Sequence, residues 1–135
     1  MRMKALTISQ PFASMIASGD KFIENRTWPT VYRGPLAIHA GKGKQYLDRH
    51  ELKQYPNGCV IAVAQLIHCM RIENLRDSGT GDLRLIPNTR TLLTYGRCVE
   101  HRHAQGPWCW ILEDVKPITN VIINGAQGLW DWEQS

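Results

Sequence analysis

The sequence predicts a mixed α+β domain built on a small curved sheet or barrel, with at least five short strands and two helices. Three observations point there. The hydrophobic period switches from helical spacing to alternation within the first 28 residues, "CVIAVAQLIHCM" is apolar almost throughout, and clusters such as Arg33-Gly34-Pro35 and Pro56-Asn57-Gly58 mark turns between short apolar runs. With 135 residues, 43% of them apolar and 21% charged, the chain has the length and composition of one folded domain, 1–135.

Lys4 to Ile8 reads as the first strand. Ser9-Gln10-Pro11 then opens a helix, with Ser9 as N-cap, Pro11 in the first turn and Phe12, Met15 and Ile16 at helical spacing, and Gly19 closes it. From Lys21 the period is two. Phe22, Glu24, Arg26 and Trp28 share one face of a second strand, and Ile23, Asn25 and Thr27 the other. Leu36 to Ala40 is a third strand, followed by a glycine-rich exit carrying Lys42 and Lys44 and a polar helix over Gln45 to Gln54. The run beginning at Cys59 is the central strand, buried on both faces.

Residues 71–105 show weak periodicity and many Gly, Asp, Asn and Thr. They read as a long irregular insert with one short helix near Thr91 to Tyr95. "GPWCWILEDV" is the next strand, Ile118 to Ile123 another, and "GAQGLWDW" closes the chain.

No apolar run reaches the roughly 18 residues a membrane-spanning helix needs, and Met1 to Lys4 shows no signal-peptide pattern, so the expected location is cytoplasmic and the partners exclude a membrane. In that compartment Cys59, Cys69, Cys98 and Cys109 are expected as reduced thiols. The formal charge of +4 suits a polyanionic partner.

Four constellations bear on chemistry. Glu24, Arg26 and Trp28 lie on one strand face with neighbours about 7 Å apart, within reach for a carboxylate and a guanidinium to meet. Such pairing makes Glu24 a base or a hydrogen-bond acceptor for a base edge, with Lys21 and Arg26 available to phosphate; it equally describes an ion pair that only closes one end of the sheet. "HAGKGK" fails the P-loop pattern, because Ile38 stands where the first glycine belongs and Gln45 follows Lys44, yet its two lysines on a glycine turn suit a backbone phosphate. Cys98, His101 and His103 lack the paired spacing of a zinc site, so no metal and no cofactor is expected. Of five tryptophans, Trp108, Trp110 and Trp130 read as core, while Trp28 beside the charges is the candidate for stacking on a base.

Taken in order, "LTISQPFASMIASGDKFIENRTW" followed by "RGPLAIHAGK" resembles the ASCH domain of the PUA-like superfamily, through Gln10-Pro11, the G-x-K-x-x-E-x-R element at Gly19, Lys21, Glu24 and Arg26, then Arg33-Gly34, His39-Ala40 and Lys42, with "GAQGLW" as the closing segment. The resemblance implies a PUA-like β-barrel of five to six strands with flanking short helices, and a basic cleft for RNA, single-stranded, lined by Gln10, Lys21, Glu24, Arg26, Trp28, Lys42 and Lys44.

An enzymatic branch of the superfamily, acting on N4-acetylcytidine with a lysine, a threonine and a glutamate, also resembles the chain at Lys21. Glu24 replaces its threonine, and Gln65 is the nearest polar residue to its strand glutamate. Three readings follow: an RNA-binding module; a metal-independent hydrolase, either a single-strand ribonuclease or an amidohydrolase on a nucleoside-sized ligand, with Lys21 and Glu24 catalytic; and a protein-binding adaptor using the insert.

Overall fold

The computed structural model describes residues 1–48, 50, 54–73 and 106–135. Along the chain run β1 (Arg2–Ile8), α1 (Phe12–Ser18), β2 (Ile23–Arg26), β3 (Gly34–Ala40), β4 (Cys59–Arg71), β5 (Trp108–Ile122) and β6 (Leu129–Glu133). They form one six-stranded sheet in the order β2-β5-β4-β3-β1-β6, antiparallel except for the parallel pair β1–β3.

The expected barrel is corrected to an open mixed sheet. β2 and β6 are its two edges and do not pair with each other. The sheet nevertheless curls, and β4 shows how. Its ladder with β5 slips between Val60 and Ala62, between Val63 and Gln65, and between Leu66 and His68, and each irregularity adds local bend and twist. The curl carries β2 back toward β1, where the Arg26 guanidinium reaches the Thr7 carbonyl at 2.8 Å. A side chain spans the gap that a backbone ladder would close in a barrel.

β5 is one strand where the sequence predicts two. Asp114, at φ 49, and Pro117, paired with Ala62, are absorbed in this irregular ladder rather than ending the strand. Central position for β4 is confirmed, with Cys59 to Ala62, Ala64 and Leu66 buried.

α1 packs its Ala13 and Ile16 onto Leu6, Ile8, Leu36 and Ile38. Its N-cap is Pro11 and not the expected Ser9, and no side chain caps it. Instead the buried Gln10 folds back, its Oε1 accepting the Ser14 N–H at 2.9 Å. Gly19 ends the helix at φ 87, in the left-handed region that favours glycine. The Lys21 N–H then donates to Met15 O at 3.0 Å, which turns the chain under the helix.

Of the helix expected over Gln45 to Gln54, the described residues are turn or irregular, and the rest lie outside them. Nearly all of the 71–105 insert, including the short helix near Thr91 to Tyr95, also lies outside the described residues, as do Cys98, His101 and His103. Cys59, Cys69 and Cys109 are free thiols. Among the described residues no helix is long and apolar enough to cross a membrane, and no group of three or more His, Cys, Asp or Glu could hold a metal ion.

Candidate nucleic-acid interface

The turn after Gly19 delivers Lys21 to the underside of α1, and the two-residue period of β2 then places Glu24 and Arg26 on one face. These three side chains meet. The Lys21 Nζ donates to Glu24 Oε1 at 3.1 Å and to the Ile23 carbonyl, and the Arg26 Nη2 donates to Glu24 Oε2 at 2.9 Å. The Asn25 N–H adds a bond to Glu24 Oε1 at 3.2 Å. One carboxylate thus serves two cations, with Lys21 only 2% exposed and Glu24 7%.

Burial pulls the Lys21 pKa below its ordinary value because the charged form loses water, and Glu24 opposes that shift. The Lys21 Nζ also lies 5.6 Å from the centre of the Phe12 ring.

Above this floor lies a cavity of about 330 Å³, lined by Lys21, Glu24 and Arg26 together with Phe12, Asn25 and Tyr46. Phe12 and Tyr46 pack with ring centroids 5.0 Å apart and tilted by 59°. Aromatic walls over hydrogen-bonding charged groups suit a flat heteroaromatic ring with polar edges.

The other predicted residues disperse. Trp28 is half-buried at the end of this strand region, its ring 4.8 Å from that of Trp110 in an edge-on arrangement, and it lines a neighbouring cavity with Arg26 and Thr7. Lys42, exposed, lines a third cavity with Thr7 and His39. Gln10 is buried and ties α1 to the Pro56 carbonyl at 2.8 Å. Lys44 is exposed and lines none of the three cavities. Phe12 and Tyr46 were missed as site residues; the sequence signal for Phe12 was its place on the same short helix whose end delivers Lys21.

A second polar chain sits on the other face of β1. The His39 Nε2 lies 2.7 Å from the Ile123 carbonyl, so it carries the hydrogen, and in the neutral ring Nδ1 then accepts from the Thr7 hydroxyl at 3.1 Å. Thr7 Oγ1 in turn accepts from the Trp130 indole at 3.3 Å. Gly125 covers this chain so closely that an added Cβ would stand 2.4 Å from Thr7 Oγ1 and 2.8 Å from His39 Nδ1. Because His39 is held at both nitrogens it has little freedom to yield. Gly125→Ala is expected to cost about 2 kcal/mol of stability, read as a lowered urea midpoint with an unchanged slope.

A family model for the ASCH domain matches residues 6–121. The chain belongs to the ASCH domain family. Its ASCH domain is 33% identical over 81 residues to activating signal cointegrator 1 of Mus musculus, which covers 48% of this chain and 14% of that protein. Against activating signal cointegrator 1 of Homo sapiens it is 30% identical over 88 residues, 53% of this chain and 15% of the relative. The chain therefore spans only a small part of the curated relatives it matches.

In three dimensions this ASCH domain is similar to the crystal structure of ASCH from Zymomonas mobilis, with a TM-score of 0.54 at 18% identity, covering 97% of this chain and 87% of the other. A variant of that protein superposes equally, at 0.54, covering 97% and 89%. At that identity the likeness speaks for the fold alone.

Proposed function

We propose that this ASCH domain binds single-stranded RNA and takes one base into the cavity that Phe12 and Tyr46 line. The observation that carries the reading is the cavity itself: two tilted aromatic rings stand over the Lys21–Glu24–Arg26 floor in a space of about 330 Å³. A base stacked on Tyr46 would present its edge to Glu24 and Arg26, the first accepting and the second donating. The formal charge of +4 favours approach of a polyanion. Membership of a family associated with nucleic-acid binding supports the same class of partner.

The test is fluorescence anisotropy of a labelled mixed-sequence RNA strand in chelator. Tyr46→Ala is expected to weaken binding about tenfold, since stacking on one aromatic ring contributes about 1–3 kcal/mol. Tyr46 is 55% exposed, so the substitution leaves the core untouched. Unchanged affinity in the variant would reject the cavity as the base site.

One arrangement favours hydrolysis as a second reading. Lys21 and Glu24 meet at 3.1 Å on the wall of the cavity, and burial draws the lysine toward the neutral amine that acts as base or nucleophile. The N4-acetylcytidine mechanism is poorly supplied, because Gln65 lines a separate cavity with Asp114 and Lys116 and not the one holding Lys21. Ribonuclease action by Glu24 and Lys21 is the better form of this reading. RNA fragments formed in chelator by wild type and not by Lys21→Ala would establish it, and intact RNA in both would remove it.

A further inference from the structure

The Phe12–Tyr46 cavity has a neighbour with which it shares a lining residue. Arg26 lines it and also lines a second cavity of about 360 Å³, where Thr7, Trp28 and Gln127 lie. Thr7 and Gln127 in turn line a third, of about 440 Å³, which holds Lys42 and Asn124.

β1 accounts for the connection. β6 pairs with it only from Arg2 to Leu6, so at Thr7 the sheet edge has lost its neighbour, and the Thr7 carbonyl takes Arg26 as partner instead. The first cavity is lined by Ile8, on the face of β1 covered by α1, and the third by Thr7 and His39, on the other face.

Along the path the chemistry changes. The first cavity offers the rings of Phe12 and Tyr46, the second the indole of Trp28 beside Gln127, and the third the exposed ammonium of Lys42. Lys42 pairs with no carboxylate among the described residues. Its stem lies across Gly58, where an added Cβ would fall 2.7 Å from Lys42 Cε, so the glycine sets where this cation rests.

We propose that the three cavities form one groove for about three successive nucleotides of a single strand, one in each cavity, with a backbone phosphate on Lys42. The inference rests on the Phe12–Tyr46 cavity being a base site. Lys42 then stands at the far end of a path and does not share one cleft with Lys21.

The experiment measures the affinity of oligoribonucleotides of about one to six residues for wild type, Lys42→Ala and Lys44→Ala. Affinity of the wild type is expected to climb up to the trinucleotide and then flatten. Lys42→Ala should weaken trinucleotides and longer strands about tenfold, flatten their salt dependence by about 0.7 in log–log slope, and leave mononucleotide binding unchanged. Lys44→Ala should match wild type at every length.

Equal effects of the two lysine variants, or a loss in Lys42→Ala already present with the mononucleotide, would overturn the groove while leaving the base site standing. Failure to bind RNA of any length would remove the base site and the groove together.

Discussion

Glu24→Gln is expected to destabilise the protein by about 3–5 kcal/mol at neutral pH, measured by urea unfolding followed by circular dichroism. The carboxylate is the shared anion of Lys21 and Arg26, and the Lys21 side chain is only 3% exposed. Removing the charge while keeping the shape leaves a buried ammonium with only neutral acceptors. The size of the loss comes from that uncompensated charge rather than from the hydrogen bonds given up.

The pH dependence has a definite sign. Lys21 titrates below its ordinary 10.5, with burial lowering the pKa and Glu24 raising it, so the substitution lowers it further. Between the folded value and 10.5 the unfolded chain binds more protons, and stability therefore rises with pH. That window opens at lower pH in the variant than in wild type. The deficit of Glu24→Gln is expected to narrow on going from neutral pH to about pH 9.5. A deficit that stays constant would mean that the Lys21 pKa does not respond to Glu24.

Trp110→Ala is the second large effect, expected at about 3–5 kcal/mol. Trp110 is fully buried on β5, opposite Glu24 in the β2 ladder, and lies edge-on to Trp28. Its indole N–H also donates to the Trp28 carbonyl at 3.2 Å. The alanine variant thus loses core volume and the support beneath the middle of the groove. Trp110→Phe keeps a ring but not the donor and is expected to cost about 1–2 kcal/mol. Equal losses in the two variants would show that the N–H bond, not the packing, fixes this region.

The pairing of Glu24 with Arg26 was legible because a strand's alternation is a local rule, and two residues apart on β2 means the same face whatever surrounds it. Central placement of β4 was legible from its unbroken apolar run. The open sheet was not, since it depends on where ladders slip, and the slips along β4 leave no signature in "CVIAVAQLIHCM". Asp114 and Pro117 looked like a strand end because their usual turn preference outweighs, in a single sequence, a ladder that can tolerate them. Tyr46 escaped because the course of the segment after Gly41 follows from what it packs on, not from its own period. In the sequence, Lys21 and Lys42 read as lining one cleft. Only the early departure of β6 from β1 shows that they belong to cavities on either side of an edge.

That departure follows from which strands are neighbours. β1 borders β3 on one side and β6 on the other, so the second strand to pair with residues 2–6 is made of residues 129–133. The pairing of Leu6 with Leu129 closes a much longer loop of chain than the pairing of Leu6 with Ile38, and contacts so far apart in sequence are the slower ones to form. The cavities beside Thr7 draw their walls from two segments far apart in sequence, Thr7 on one side and Ala126 and Gln127 on the other. Fraying of the β6 edge would therefore loosen the cavities that Thr7 shares with Gln127 while the β5-β4-β3 ladders stay intact.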